Sequence, residues 1–143
     1  MINQPPRPTN NFWIISILAI LWNLIGVFAY IGQSFMSENV MKLLSESEQK
    51  YFHNLPTWVT AAFASAVFAG LFGSVGLLLR KKIVYPLFLF SLISLIVHQN
   101  YNFFIQNDIQ ITGLDLILPL ATIFIGIFLV WFSSKMNKIG VLT

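Results

Sequence analysis

The sequence predicts an all-α membrane protein whose four helices cross the bilayer as an antiparallel bundle. Of its 143 residues, 57% are hydrophobic and only 9% are charged, whereas charged residues make up about a quarter of soluble domains. Four apolar stretches are long enough to cross a hydrocarbon core of roughly 30 Å as helices, in which every backbone group finds a partner. They are Phe12–Ser34, Thr57–Leu79, Ile83–Ile105 and Leu114–Ser134. We expect one four-helix domain over residues 1–143.

Charged residues between these stretches are sorted by side. With four crossings, the amino terminus, the second connection and the carboxyl terminus share one side, which holds six of the eight basic residues. All five acidic residues fall on the opposite side. Because basic residues beside membrane spans favour the cytoplasm, we expect both termini to be cytoplasmic and the acidic side to face outward.

The first stretch carries a polar face. Ser16, Asn23 and Tyr30 are seven residues apart and therefore lie on one side of a helix. Asn23 falls near mid-depth, and Tyr30 and Gln33 fall near the outer end. We expect this face to point at other helices, because polar groups at membrane depth are costly in lipid.

The first connection, Phe35–Pro56, is the only long one. Ser45 and Glu48 have capping-box spacing, which predicts that a helix begins after Ser45. We expect a short amphipathic helical segment over residues 37–54 that lies on the outer membrane face or over the mouth of the bundle. The alternative is a solvated acidic loop.

The second stretch is rich in small residues. Small side chains mark helix contact faces in membranes, because they let two backbones approach closely. The predicted helix-packing residues are Ala62, Ala66, Gly70, Gly73 and Ser74. We expect them to pack helices within one chain, and a homodimer seam is the alternative.

Polar residues of the third and fourth stretches also fall in the outer half of the bundle. If the polar faces converge, they form a pocket that opens outward below the first connection. His98 would then point into the bundle, with Tyr30 or Asp115 within direct or one-water hydrogen-bond reach. A carboxylate beside the histidine would fix its tautomer. The alternative is that these groups only hydrogen-bond the bundle together. The candidate ligand-binding residues are Asn23, Tyr30, Gln33, His98, Tyr101, Asp115 and Thr122.

Several classes of chemistry lack their residues in this chain. Without cysteine there is no disulfide, iron–sulfur cluster or thiolate zinc site, and the two histidines do not have the spacing of a metal or haem site. Neither a nucleophile elbow nor a glycine-rich phosphate loop is present, and no basic stripe with interleaved aromatic residues indicates nucleic-acid binding. We therefore expect no metal, no cofactor and no enzyme activity.

Four runs of the chain carry a family resemblance: Leu21–Gln33, Pro56–Gly70, Gly73–Lys82 and Pro86–Ser94. They resemble a family of small, uncharacterised bacterial four-helix inner-membrane proteins, whose members are labelled "hypothetical protein" or "sugar transporter". The resemblance implies a multi-pass protein of the bacterial inner membrane and carries over no functional residues.

The leading functional expectation is a non-enzymatic integral membrane protein among membrane lipids. Its outward-facing polar pocket would bind a small molecule or lipid, or the protein would dock a partner membrane protein. The second hypothesis is a small transporter that acts as a homodimer, and a membrane redox or other enzyme is third. A small-multidrug type of proton coupling is disfavoured, because the residue at the depth of its carboxylate is Asn23, and an amide carries no proton.

Overall fold

The computed structural model describes residues 4–143, which are arranged in helices and their connections. Four helical segments are long and apolar enough to cross a membrane, judged by length and composition. The predicted four-helix, all-α architecture is confirmed, and these segments indicate a multi-pass membrane protein. The α-helices are α1 (Asn10–Ser34), α2 (Glu38–Met41), α3 (Glu46–Asn54), α4 (Thr57–Leu78), α5 (Val84–Asn100) and α6 (Ile117–Lys138).

The observed helix ends differ from the predicted ones for local reasons. α1 begins before Phe12, because the Thr9 hydroxyl accepts a hydrogen bond from the Phe12 amide at 3.4 Å and caps the helix. The third span continues beyond α5 as a π-helical turn, Tyr101–Ile105, and a 3-10 turn, Gly113–Leu116, leads into α6. α6 runs past Ser134 to Lys138 and ends just before Gly140, which adopts a left-handed backbone.

The four long helices are packed in chain order: α1 against α4, α4 against α5, and α5 against α6. α1 and α6 meet where the rings of Phe12 and Phe132 stack, with centroids 6.1 Å apart. We call this end of the bundle, which also holds the α4–α5 turn, the terminal end. The opposite end, which holds the α1–α4 and α5–α6 connections, is the connection end.

Small residues of α4 lie where its neighbours come closest. A Cβ atom added at Gly73 would meet the Phe88 ring of α5 at 2.9 Å, and one added at Gly70 would overlap the Asn23 side chain of α1. α4 therefore packs closely on both sides, as small residues allow. Of the predicted packing residues, Ala66, Gly70, Gly73 and Ser74 are buried and Ala62 is half-buried.

The first connection forms two short helices rather than an irregular loop. The Ser45 hydroxyl accepts from the Glu48 amide at 3.3 Å, and the Glu48 carboxylate accepts from the Ser45 amide at 2.9 Å, which confirms the capping box. The Ser45 side chain, together with its backbone amide, lowers the pKa of the Glu48 carboxyl. α3 is held over the end of the third span, because the Tyr51 hydroxyl donates to the Asn102 side chain at 2.7 Å.

The segment after α6 folds back into the terminal end, a feature that no sequence pattern predicted. Gly140 adopts a left-handed backbone with φ +80°, a conformation that glycine takes without strain and that ends a helix. Leu142, which is 1% exposed, then enters the hydrophobic core. This core cluster comprises Phe12, Ala19, Leu77, Val84, Phe88, Leu129, Phe132, Val141 and Leu142.

Arg80 holds the returning segment in place. Its Nε donates to the Val141 carbonyl at 2.9 Å, and its own carbonyl accepts from the Thr143 amide at 2.6 Å. Arg80 also has a left-handed backbone, with φ +58°, which is strained for a residue with a side chain. These two hydrogen bonds offset that strain and close the α4–α5 turn against the carboxyl-terminal segment.

Candidate functional site

A cavity of about 300 Å³ lies between the four long helices, from mid-depth to the connection end. Its wall is mostly apolar, with aliphatic and aromatic side chains from every long helix. The polar side chains in the wall form two groups, one near the connection end and one deeper. They are Asn23, Ser91, His98, Gln99, Asn102 and Thr122.

The polar group near the connection end is a hydrogen-bonded chain. The Asn102 amide nitrogen donates to Gln99 Oε1 at 3.1 Å and lies 3.2 Å from His98 Nε2. Gln99 Nε2 reaches the Thr122 hydroxyl on α6 at 3.5 Å. At the other end of the chain, Asn102 Oδ1 accepts from Tyr51. The chain therefore links α3, α5 and α6, and such networks fix side-chain positions more firmly than isolated bonds do.

His98 is 8% exposed and is stacked on the Phe63 ring of α4, with centroids 4.7 Å apart. Because the Asn102 amide nitrogen is a donor, the hydrogen-bond network assigns Nε2 of His98 as the acceptor and places the ring proton on Nδ1. Nδ1 is buried and has no hydrogen-bond partner within residues 4–143. The imidazole therefore carries a buried donor whose capacity is unused, at a cost of about 1–3 kcal/mol.

The deeper polar group ties α1 and α5 to α4. Asn23 Nδ2 donates to the Ala19 carbonyl at 2.9 Å and to the Ser74 hydroxyl at 3.0 Å. On the other side of α4, the Ser91 hydroxyl donates to the Ala66 carbonyl at 2.6 Å. These bonds satisfy polar groups that would be costly to leave unpaired at membrane depth, and they join the three helices at the deep end of the cavity.

The structure brings together three of the seven candidate ligand-binding residues. Asn23, His98 and Thr122 line the cavity. Tyr30 packs edge-on against the rings of Phe63 and Phe68, with centroids 5.9 and 5.8 Å away. It therefore lies one aromatic ring away from His98 rather than beside it.

The other three candidates lie outside the cavity wall. Gln33 is half-buried, and its Nε2 has no hydrogen-bond partner in the described part of the chain. Tyr101 is buried behind the wall, where its ring packs against Tyr51 and Trp58. Asp115 is exposed in the 3-10 turn before α6.

The expected contact between His98 and Asp115 is not observed. His98 Nε2 faces Asn102, on its own helix, and no hydrogen bond joins His98 to Asp115 within residues 4–143. The physical reason is the cost of burying a carboxylate: at the connection end Asp115 stays exposed, while the histidine is satisfied by a neutral amide.

Gln99, Asn102 and Phe63 belong to the site but were not among the predicted residues. Asn102 follows His98 by four positions, so a shared helical face was visible in the sequence. Gln99 is adjacent to His98, and its side-chain bonds to Asn102 and Thr122 orient it toward the hydrogen-bonded chain. Phe63 had no signal, because one phenylalanine among 14 does not stand out.

A second cavity, of about 400 Å³, lies between α1 and α6. All its wall residues are apolar or aromatic, and several are exposed on the outside of the bundle, such as Leu18 at 59% and Ile25 at 63%. It adjoins the first cavity, because the two share wall residues. The shared residues are Trp22, Ile25, Ile125 and Leu129.

Neither cavity wall contains a charged residue from the described part of the chain. Within the same residues, no three histidine, aspartate or glutamate side chains come together as ligands for a metal ion. The arrangement is suited to holding a neutral, largely apolar molecule between helices, with a few fixed hydrogen-bonding groups at one end.

No protein-family model, no curated protein and no solved structure matches this chain.

Proposed function

We propose that this protein is a non-enzymatic integral membrane protein that binds a small molecule or lipid in the cavity between its four long helices. The observation that carries the proposal is the cavity of about 300 Å³ with His98, Gln99 and Asn102 in its wall. Ligand sites in proteins are typically apolar clefts of this size or larger, with a few well-placed polar groups.

The shape of the cavity favours binding over transport. A polar path through the bundle would have to reach the basic turn at Arg80–Lys82. That route is occupied by the hydrophobic core cluster, in which Leu77 and Leu142 are almost fully buried. The cavity therefore ends within the bundle, as is typical of a binding site.

The same proposal includes a place and an orientation for the protein. Arg80, Lys81 and Lys82 lie at the terminal end with Lys135 and Lys138, and the acidic residues lie at the connection end. Basic residues beside membrane spans favour the cytoplasm. The proposed location is the bacterial inner membrane, with both chain ends cytoplasmic and α3 above the mouth of the cavity on the outer side.

A pair of tryptophan substitutions on α5 tests the binding proposal. Leu95 lines the cavity, so Leu95→Trp fills it, whereas Ile96 is 49% exposed on the outside of the bundle, so Ile96→Trp adds the same ring without filling the cavity. Each protein is purified from bacterial membranes in mild detergent and extracted with organic solvent, and the extracted small molecules are compared by mass spectrometry.

We expect the unmodified protein and Ile96→Trp to retain a compound that Leu95→Trp loses. Gly126→Leu fills the same cavity from α6 and should also lose it. Melting temperatures in detergent show which variants are folded. If every folded variant retains the same compounds in the same amounts, the cavity is not a binding site.

A further inference from the structure

We infer that the ligand is a neutral, lipid-soluble molecule, an apolar chain or ring system with one small uncharged polar end, and that it enters sideways from the bilayer between α1 and α6. This inference rests on the proposed function and adds to it the class of ligand and the route of access.

The absence of charge in the cavity decides the class of ligand. Within residues 4–143, no acidic or basic side chain lines either cavity. A charged group moved to this depth would lose its hydration and find no counter-charge, which costs several kcal/mol. The wall instead offers amide and hydroxyl groups, from Asn23 at the deep end and from Gln99 and Thr122 near the connection end.

The hydrogen-bonding groups limit the polar part of the ligand to a small one. Most of their capacity is used within the protein, because Asn102 binds both His98 and Gln99 and receives the Tyr51 hydroxyl. What remains is a small polar patch in a wall that is otherwise hydrocarbon. A hydroxyl, carbonyl or ether suits such a patch, whereas a sugar, with many polar groups, would leave most of them unpaired.

The packing of the helices decides the route of access. Three of the four helix seams, α1–α4, α4–α5 and α5–α6, are closely packed, whereas α1 and α6 touch mainly at the terminal end. Between that contact and the connection end, the α1–α6 seam contains the second cavity, which shares the wall residues Trp22 and Leu129 with the first cavity. Its wall is apolar and partly exposed on the outside of the bundle, so a lipid-soluble molecule can pass along it without meeting water.

The other openings are less suited to an apolar ligand. At the connection end α3 lies across the third span, held by the bond from Tyr51 to Asn102. At the terminal end the core cluster closes the bundle, with Phe12 and Leu142 both 1% exposed. The α1–α6 seam is therefore the path with the least polar and the least tightly packed wall.

Three photoreactive probes test the class of ligand. Each carries a diazirine on the same 16-carbon chain: a neutral alcohol, the corresponding trimethylammonium, and a phosphatidylcholine. The full-length protein in lipid nanodiscs is labelled, and the modified residues are mapped by peptide mass spectrometry. Labelling of Leu92 and Leu129 in the wall is divided by labelling of Phe72 and Phe124, which are 61% and 68% exposed on the outside.

We expect the ratio for the alcohol to exceed that for the trimethylammonium by roughly tenfold, since an unpaired charge at this depth costs more than the 1.4 kcal/mol that a factor of ten represents. The labelling ratio for the alcohol should also exceed that for the phosphatidylcholine, and Leu95→Trp should abolish the differences between the probes. If the charged probe or the phospholipid gives the same labelling ratio as the alcohol, the proposed class of ligand is wrong. In the phospholipid case the cavity holds ordinary bilayer chains.

A cross-link across the seam tests the route of access. Because the chain has no cysteine, Ile25→Cys and Ile125→Cys introduce a unique pair on the shared wall, which a reducible bifunctional thiol reagent can join. We expect the alcohol to label Leu92 in the cross-linked protein as slowly as in Leu95→Trp. The rate of Leu92 labelling should recover after the cross-link is reduced. The Phe28→Cys protein carrying the same reagent at one end is the control and should label at the normal rate, because Phe28 is 68% exposed and lies outside both cavity walls.

The outcomes separate this inference from the proposed function. Unchanged labelling of Leu92 in the cross-linked protein overturns sideways access while binding stands. If no probe labels Leu92 or Leu129 above Phe72 and Phe124, and Leu95→Trp changes nothing, the proposed function itself is overturned and the inference falls with it.

Discussion

Asn23 of α1 and Ser74 of α4 are joined by a hydrogen bond of 3.0 Å, from the amide nitrogen to the hydroxyl oxygen. The Ser74 hydroxyl donates in turn to the Gly70 carbonyl at 2.7 Å. This side-chain bond ties α1 to α4 at mid-depth. It also places the Asn23 side chain at the deep end of the cavity.

The energy of this bond can be measured with Asn23→Ala, Ser74→Ala and the double variant. Hydrogen bonds between membrane helices average about 0.6 kcal/mol in such cycles, and we expect a coupling energy of that order. The measurement is reversible unfolding in mixed micelles of a mild detergent and dodecyl sulfate. If the losses of unfolding free energy in the two single variants add up to the loss in the double variant, the pair contributes no coupling. The helices are then held by packing alone.

Gly70 is predicted to tolerate no side chain while Asn23 is present. The Cβ of alanine at this position would overlap the Asn23 amide oxygen, and overpacking of this kind typically costs about 1–3 kcal/mol. We expect Gly70→Ala to lower the melting temperature in detergent.

Gly32→Ala is the matched control for that substitution, because nothing lies within 4 Å of a Cβ placed there. It should leave the melting temperature unchanged or raise it, since alanine favours helix more than glycine does. Adding Asn23→Ala to Gly70→Ala should remove the clash. A double variant that is less stable than either single variant would show that the overlap is not the cause.

The docking of α3 should weaken at high pH through Tyr51. Burial, with a further contribution from Tyr101, raises the pKa of the Tyr51 hydroxyl from 10.0 to about 12. The docked state therefore favours the neutral phenol, so this contribution to stability is fully present below pH 10 and is lost as pH rises through 12. The measurement is the accessibility of the first connection to a protease that remains active at high pH.

Tyr51→Phe separates this titration from that of other groups. The variant lacks the hydrogen bond to Asn102 and should be more accessible to protease at neutral pH, with less additional change between pH 10 and 12. An equal increase in both proteins over this range would assign the loss of docking to other groups.

Leu142 is predicted to be part of the core although it follows the last helix. It is 1% exposed within the core cluster, and replacing a buried leucine by alanine typically costs about 2–5 kcal/mol. We expect Leu142→Ala to lower the melting temperature clearly. Ile139→Ala serves as the control, because Ile139 is 51% exposed. Equal effects of the two substitutions would mean that the segment does not pack into the bundle end.

The proposed orientation can be tested in cells, because any introduced cysteine is unique. Glu46→Cys lies at the connection end and Lys138→Cys at the terminal end. A thiol reagent that does not cross membranes should label Glu46→Cys in intact bacteria and Lys138→Cys only after the cells are broken. The reverse pattern would invert the topology.

The sequence alone determined the number of long helices, their approximate bounds and the capping box of the first connection. These features depend on local properties, namely the length of apolar runs and the spacing of Ser45 and Glu48, which the chain displays directly. The helix ends were less predictable, because the 3-10 and π-helical turns beside α6 and α5 depend on how the connections are packed.

The site was only partly predictable, because it depends on how the helices rotate against one another. Helical periodicity grouped His98 with other polar residues, yet it could not show that Asn102, rather than Asp115, would satisfy the imidazole. A polar group at membrane depth must find a partner, but the sequence does not say which of several candidates is nearest.

The tertiary structure alone decided which residues distant in sequence would meet. Arg80 and Val141 are 61 positions apart and share a hydrogen bond, and the stack of Phe63 on His98 joins two different helices. The loose α1–α6 seam likewise follows from three other helix pairs packing closely. Such contacts are set by the combined geometry of all four helices, whereas hydropathy and periodicity describe one helix at a time. The fold was therefore readable from the sequence, and the residues of the cavity wall only in part.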